Sequence, residues 1–181
     1  PEYIQKLVMN CLETGNAYGK TELTEELTAK IKEHSAKTNT LLVLGADARY
    51  MAPCQAVKAI KVLEKANVEF TVALDEKATG AQLDFLIGAA NETRDQMATC
   101  AKALDEYKTV VVYDPSDSKT MKQLYKEYGI EVAANVVTYT AYLAEAANDG
   151  AVNNNVIIEV DDGDYYFKVK YSLTFFSSKN I

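Results

Sequence analysis

Three features of the sequence predict an α/β domain with a mainly parallel sheet flanked by helices. Short apolar runs of strand length alternate with longer segments of helical periodicity. The run from Thr40 to Gly45 is continuously apolar, as in a strand buried on both faces. The loops that follow them begin with Ala46-Asp47, Asp75 and Asp114-Pro115, and Asp and Pro turn a chain and start helices.

The elements follow in order. Thr21 to Lys37 reads as a helix, with Leu23, Leu27, Ile31 and His34 at helical spacing and charges between them. Thr21 or Thr24 caps its start, ahead of glutamates that favour the positive end of the helix dipole. Thr40 to Gly45 is a strand, Ala46 to Ala52 a loop, and Pro53 the start of a helix carrying Val57, Ile60 and Leu63 on one stripe and ending at Asn67. Val68 to Leu74 reads as a second strand, followed by the loop Asp75 to Gly80. A helical region spans Ala81 to Tyr107 with a break near Asn91. Thr109 to Tyr113 is a third strand and Asp114-Pro-Ser-Asp117 its loop. Lys119 to Tyr128 is helical with Gly129 as its C-cap. Val132 to Val137 holds a short fourth strand, and Thr138 to Asn148 a last helix closed by Gly150. These are Rossmann-like layers. In the tail, Val156 to Val160 and Tyr165 to Leu173 alternate apolar and polar residues around Asp162-Gly163, the signature of a β-hairpin. The chain thus divides into an α/β domain over residues 1–150 and a C-terminal segment over residues 151–181, either a hairpin or the start of a second repeat.

Composition narrows the function. The 181 residues carry 19 Lys+Arg against 26 Asp+Glu, a net charge of -7. That balance argues against nucleic acid as a partner, since a phosphate backbone selects a basic face. The longest apolar runs are strand-sized, well short of the roughly 20 residues of a membrane span. Residues 1–10 have no signal-peptide pattern, so a cytoplasmic, reducing setting is expected. Three cysteines, Cys11, Cys54 and Cys100, are too few for a disulfide framework or a four-thiolate cluster site built from this chain. They read as buried or incidental thiols, with Cys54 near a helix start where a dipole favours the thiolate.

No glycine-rich phosphate loop and no nucleophile elbow is present. His34, the single histidine, sits among lysines and glutamates on its helix and reads as a surface or boundary residue. In parallel sheets ligands bind beyond the carboxyl ends of the strands, so the three strand-end loops hold the candidate site. Asp47, Arg49, Tyr50, Thr79, Gly80, Asp114, Ser116 and Asp117 are the candidate ligand-binding residues. Arg49 either clamps an anion or locks its loop to Asp114 or Asp117. Asp47, Asp75, Asp114 and Asp117 could converge on a hard cation, or serve as turn and cap residues. Asp117 in particular suits the cap of the helix after it. No catalytic residue and no metal ligand is assigned.

Several segments carry a family resemblance. Gly15-Asn-Ala-Tyr-Gly19 resembles a Gly-Asn-Pro-Trp-Gly segment, and Val43-Leu-Gly-Ala-Asp-Ala-Arg-Tyr50 a Val-Gly-Cys-x-x-Arg-Tyr strand and loop. The helix and strand from Ala56 to Phe70 follow in the same order. Glu76-Lys-Ala-Thr-Gly80 stands in the place of Cys-Cys-Gly or Cys-Thr-Gly, and Asp114-Pro-Ser-Asp117 in that of Cys-Pro-x-Cys. Leu124 to Tyr128 resembles an Asn-Glu-Tyr-Pro segment, and Thr138 to Ala144 a His-x-x-Glu-Leu-Leu-Ala helix. In this order they resemble the cysteine-rich (CCG) domain of iron–sulfur oxidoreductases, the group that includes heterodisulfide reductases, the glycolate oxidase iron–sulfur subunit and lactate-utilisation proteins. The resemblance covers about residues 14–150. In the tail, Asp161-Asp-Gly-Asp-Tyr165 stands where a next repeat would carry His-Asp-Pro-Cys-Tyr.

The family's cluster-ligating cysteines are replaced by Ala46, Ala78 and Asp117. The resemblance therefore implies the fold and a link to electron-transfer complexes, with flavoprotein or ferredoxin-like subunits as partners. The [4Fe-4S] cofactor of the family is not expected in this chain, because alanine donates nothing and aspartate is too hard a ligand to replace thiolate. Three expectations follow. The chain is a structural or docking subunit of a redox complex, or a small-molecule-binding or enzyme domain using the strand-end loops, or part of a longer electron-transfer subunit whose cluster ligands lie outside it.

Overall fold

Four parallel strands make the central sheet in the order β2-β1-β3-β4. They are β1 (Thr40–Val43), β2 (Thr71–Val72), β3 (Thr109–Val112) and β4 (Asn135–Thr138). The computed structural model describes residues 2–148, 156–160 and 167–171. Among the described residues, eight helices accompany the strands: α1 (Glu2–Thr14), α2 (Glu25–Glu33), α3 (Pro53–Lys65), α4 (Ala81–Ile87), α5 (Asn91–Leu104), α6 (Pro115–Lys119), α7 (Tyr125–Glu127) and α8 (Tyr139–Asn148). The α/β expectation with a parallel sheet holds. In the tail, β5 (Val156–Val160) and β6 (Phe167–Tyr171) pair antiparallel, with Val160 opposite Phe167. The expected Asp162-Gly163 turn and the segment Asp161 to Tyr165 lie outside the described residues.

The apolar runs are continuous because both faces of the sheet are covered. Leu42, Leu44 and Val111 face one core with Leu27 and Ile31 of α2, Ala56, Ile60 and Leu63 of α3, and Tyr139 of α8. Leu41, Val43, Val110 and Val112 face the other, against Met97, Cys100 and Leu104 of α5, with Met121 and Tyr125. Successive strand side chains point to opposite faces, so a run with no polar residue fills two cores at once.

Several boundaries differ from the sequence expectation. β2 has two residues where seven were expected, because this edge strand pairs with β1 at Leu41↔Thr71 and Leu42↔Val72 alone. The first expected helix shortens to α2, capped by Thr24, whose hydroxyl accepts from Leu27 N–H. The long helical region divides at Gly88 (φ +63°), ahead of Asn91. Ala46 to Ala52 is no open loop: Asp47–Met51 forms a π-helical turn, in which Ala52 N–H donates to Asp47 O at 2.9 Å. Asp114-Pro-Ser-Asp117 is likewise helical from Pro115, and α1 was not anticipated at all. Among the described residues no helix is long and apolar enough to cross a membrane.

Candidate functional site

The chain leaves β1 for α3 and β2 on one side, while β3 lies on its other side. The carboxyl ends of β1 and β3 therefore flank a topological switch point, where connections diverge and leave a crevice. Here that crevice is a cavity of about 410 Å³. The loops after β1, β2 and β3 line it together with residues of α1, of the segment after α1 and of α4.

Gly45 ends β1 and turns the chain at φ +85°. A Cβ there would come closer than 3.0 Å to Asp117 Oδ2, so glycine is what lets the β1 and β3 loops meet. Beneath them, the Glu76 carboxylate accepts from Leu44 N–H and Gly45 N–H, each at 2.8 Å. These amides follow the last strand residue, and Glu76 satisfies what the sheet no longer can. Arg49, 4% exposed, lies 3.7 Å from Glu76 and donates to the carbonyls of Ala73 (3.0 Å) and Leu74. The guanidinium thus fastens the π-helical turn to the end of β2. Burial pushes the Glu76 carboxyl up, against the pull of Arg49 and the two amides.

Asp117 is 8% exposed and accepts the Thr79 hydroxyl on Oδ1. Tyr125 fixes the same loop from below, donating to Thr79 O at 2.8 Å. Burial drives the Asp117 carboxyl up to about 7; the Thr79 bond opposes this, and the charges of Asp114, Glu76 and Asp47 add to it. Asp114 caps α6, taking Ser116 N–H at 2.7 Å and Asp117 N–H at 3.1 Å. The expected cap was Asp117; Asp114 takes the role because Pro115 occupies the first helical position. Asp47 Oδ1 accepts from Tyr18 OH (2.7 Å) and Gln82 Nε2 (2.9 Å), joining the β1 loop to the segment after α1 and to the first turn of α4.

All eight sequence candidates line the cavity: Asp47, Arg49, Tyr50, Thr79, Gly80, Asp114, Ser116 and Asp117. Arg49 pairs with neither Asp114 nor Asp117: buried at 4% exposure, its guanidinium is held by Glu76 and two carbonyls rather than presented as an open anion clamp. Asp75 lies apart, its side chain 85% exposed and 3.0 Å from Lys77. Sequence reasoning assigned no role to Glu76, Tyr18 or Gln82, which come from three separate segments and share no local pattern. His34 is the expected boundary residue, stacked on Phe70 at 4.3 Å and 2.8 Å from Glu64 Oε1.

A cluster does not fit this donor set. Ala46, Ala78 and Asp117 line the cavity, and none of the three cysteines does. Cys100 is buried with its thiol 3.8 Å from Lys77 O; burial pushes it up to about 12, so the thiolate is disfavoured. Cys11 is buried within α1, and Cys54 is exposed in the first turn of α3. Nor do the strand-end aspartates gather round one cation. Among the described residues, the group of three acidic or histidine ligand atoms within 4.8 Å of one another is Glu33, His34 and Glu64. There the Lys30 ammonium already sits 2.5 Å from Glu33 and 2.9 Å from Glu64. No family model matches the chain, and no curated protein and no solved structure matches it.

Proposed function

We propose that the chain is a cluster-free relative of the iron–sulfur oxidoreductase subunits that binds a small molecule in the cavity at the carboxyl ends of β1 and β3. One observation carries the reading: Ala46, Ala78 and Asp117, the positions where the resembled family carries cysteine ligands, line the same cavity as all eight candidate residues. Its volume of about 410 Å³ falls in the ordinary range of ligand pockets. In place of thiolates the cavity carries the carboxylates of Asp47, Glu76, Asp114 and Asp117 in its lining. The free cysteines agree with a reducing, cytoplasmic setting.

A second reading, a docking subunit for a flavoprotein or ferredoxin-like partner, is favoured by the apolar surface of α1 and α4. These helices pack on each other, yet Tyr3 is 71% and Phe85 89% exposed. If the chain belongs to a longer electron-transfer subunit, the same face would meet the cluster-bearing part.

Two measurements test the proposal. Anaerobically purified protein should contain no stoichiometric iron or acid-labile sulfide and show no broad visible absorption. A fragment screen by amide NMR should give hits that shift Gly45, Thr79 and Ser116, and these shifts should vanish when Ala46→Trp fills the cavity. Stoichiometric iron, or hits confined to the α1/α4 face, would sink the first reading; the latter outcome supports the second.

A further inference from the structure

The parallel sheet ends on β4, and the tail holds two strands that lie outside it. β4 is last in the order β2-β1-β3-β4, while β5 and β6 pair in a sheet of their own. In a parallel ladder the N–H and C=O of one residue point to the same neighbour, and successive residues alternate sides. Asn135 N–H donates to Lys108 O at 2.8 Å, on the β3 side. Val136 therefore turns its N–H and C=O away from β3, and among the described residues no backbone group pairs with them there. Such an edge is a template for another strand.

The tail carries a strand of the matching kind. A two-stranded hairpin is at best marginally stable in water, and a third strand supports it. β5, Val156-Ile-Ile-Glu-Val160, is apolar in four of its five residues, whereas β6, Phe167-Lys-Val-Lys-Tyr171, alternates apolar residues with lysine. Near-continuous apolar runs belong inside a sheet, and lysines mark an edge that is kept from further pairing. The pattern fits the order β4-β5-β6, with β6 outermost. Within one chain that order is not made, since β5 and β6 form a separate sheet. The open edge of one copy and the hairpin of another complement each other. The exchange is reciprocal, so two copies satisfy both edges and the assembly closes.

We propose that the chain forms a twofold dimer by strand exchange, in which the β5–β6 hairpin of each copy extends the sheet of the other, with β5 against the outward edge of β4 at Val136. The partner is thus a second copy of this chain, and the interface lies on the β4 edge rather than on the α1/α4 face.

Sedimentation of the whole chain and an isotope-filtered NMR experiment test it. The chain should sediment as a dimer. Val136→Pro removes the outward N–H, and proline is tolerated in an edge strand where that N–H points away from the sheet. The variant should lose the dimer and sediment as a monomer at the same concentration, with its helical circular dichroism unchanged. A dimer refolded from a mixture of differently labelled chains serves if Val136→Pro does not fold. In it, contacts between the Val136 amide and β5 should appear across copies. A chain that is monomeric at every concentration overturns the proposal. So does a dimer that survives Val136→Pro, which points to another face. Contacts from Val136 to β5 found within one copy alone would mean that the chain's own hairpin occupies the edge, and they too overturn the exchange.

Discussion

Replacing Gly45 by alanine should destabilise the fold, and the cost divides into two parts. The backbone at Gly45 sits at φ +85°. Holding an L-residue in that region costs about 1–2 kcal/mol. The added Cβ would also press on Asp117 Oδ2 inside 3.0 Å and stand 3.1 Å from Asp114 Cβ. Asp117 cannot swing aside freely, since Thr79 holds its other oxygen and Asp114 holds its amide. Such overpacking costs about 1–3 kcal/mol, for a total of about 2–5 kcal/mol. Gly129 supplies the control: its φ is +72° and nothing lies within 4 Å of a Cβ built there, so Gly129→Ala should show the backbone part alone. Urea unfolding at pH 7 gives both values. A double cycle with Asp117→Ala isolates the contact, and should return a coupling of about 1–3 kcal/mol. Gly45→Ala within about 0.5 kcal/mol of Gly129→Ala would refute the argument that the β1 and β3 loops meet through the missing side chain.

Other perturbations report on the same loops. Because the folded Asp117 carboxyl lies up at about 7, the native state holds a proton that the unfolded chain releases near pH 4. The stability tied to this proton is fully present below that lower value and is lost as pH rises through about 7, at a slope of at most about 1.4 kcal/mol per pH unit. Asp117→Asn should flatten the decline between pH 5 and 8 in urea titrations; an identical slope in both proteins counts against a buried, proton-holding Asp117. Glu76→Ala strips the acceptor from Leu44 and Gly45 and the partner from Arg49. It should lose about 3–5 kcal/mol and speed hydrogen exchange at those two amides, and unchanged exchange there would mean that Glu76 is not their cap. Tyr125→Phe leaves the buried Thr79 carbonyl without its donor and should cost about 1 kcal/mol in thermal unfolding.

The sheet was legible because its signal is local. In Thr40–Val43 and Thr109–Val112 nearly every side chain is buried, so their runs of Leu and Val stand out against any neighbour. β2 was overextended for the complementary reason: Val68 to Leu74 is apolar enough to pair, but at the sheet edge two residues do. α1 was overlooked although Ile4, Leu7, Val8 and Cys11 stand at helical spacing; of these Cys11 alone is fully buried, so the pattern is weak by composition. Asp114 and Asp117 were both visible as loop acids; which of them caps was decided by where the helix starts, at Pro115. Glu76 was not legible. Nothing beside it in the chain marks a loop glutamate as buried, and its donors lie 31 and 32 residues away.

By itself the sequence determined the layers of this protein and the rim where its loops gather, because periodicity and turn chemistry act over a few residues. The strand order, the meeting of Gly45 with Asp117, the capture of Arg49 by Glu76 and the lining of the cavity by α1 and α4 were decided by tertiary structure. These depend on partners far apart in the chain, and on burial, which encloses Asp117 and the Glu76 side chain where the loops meet.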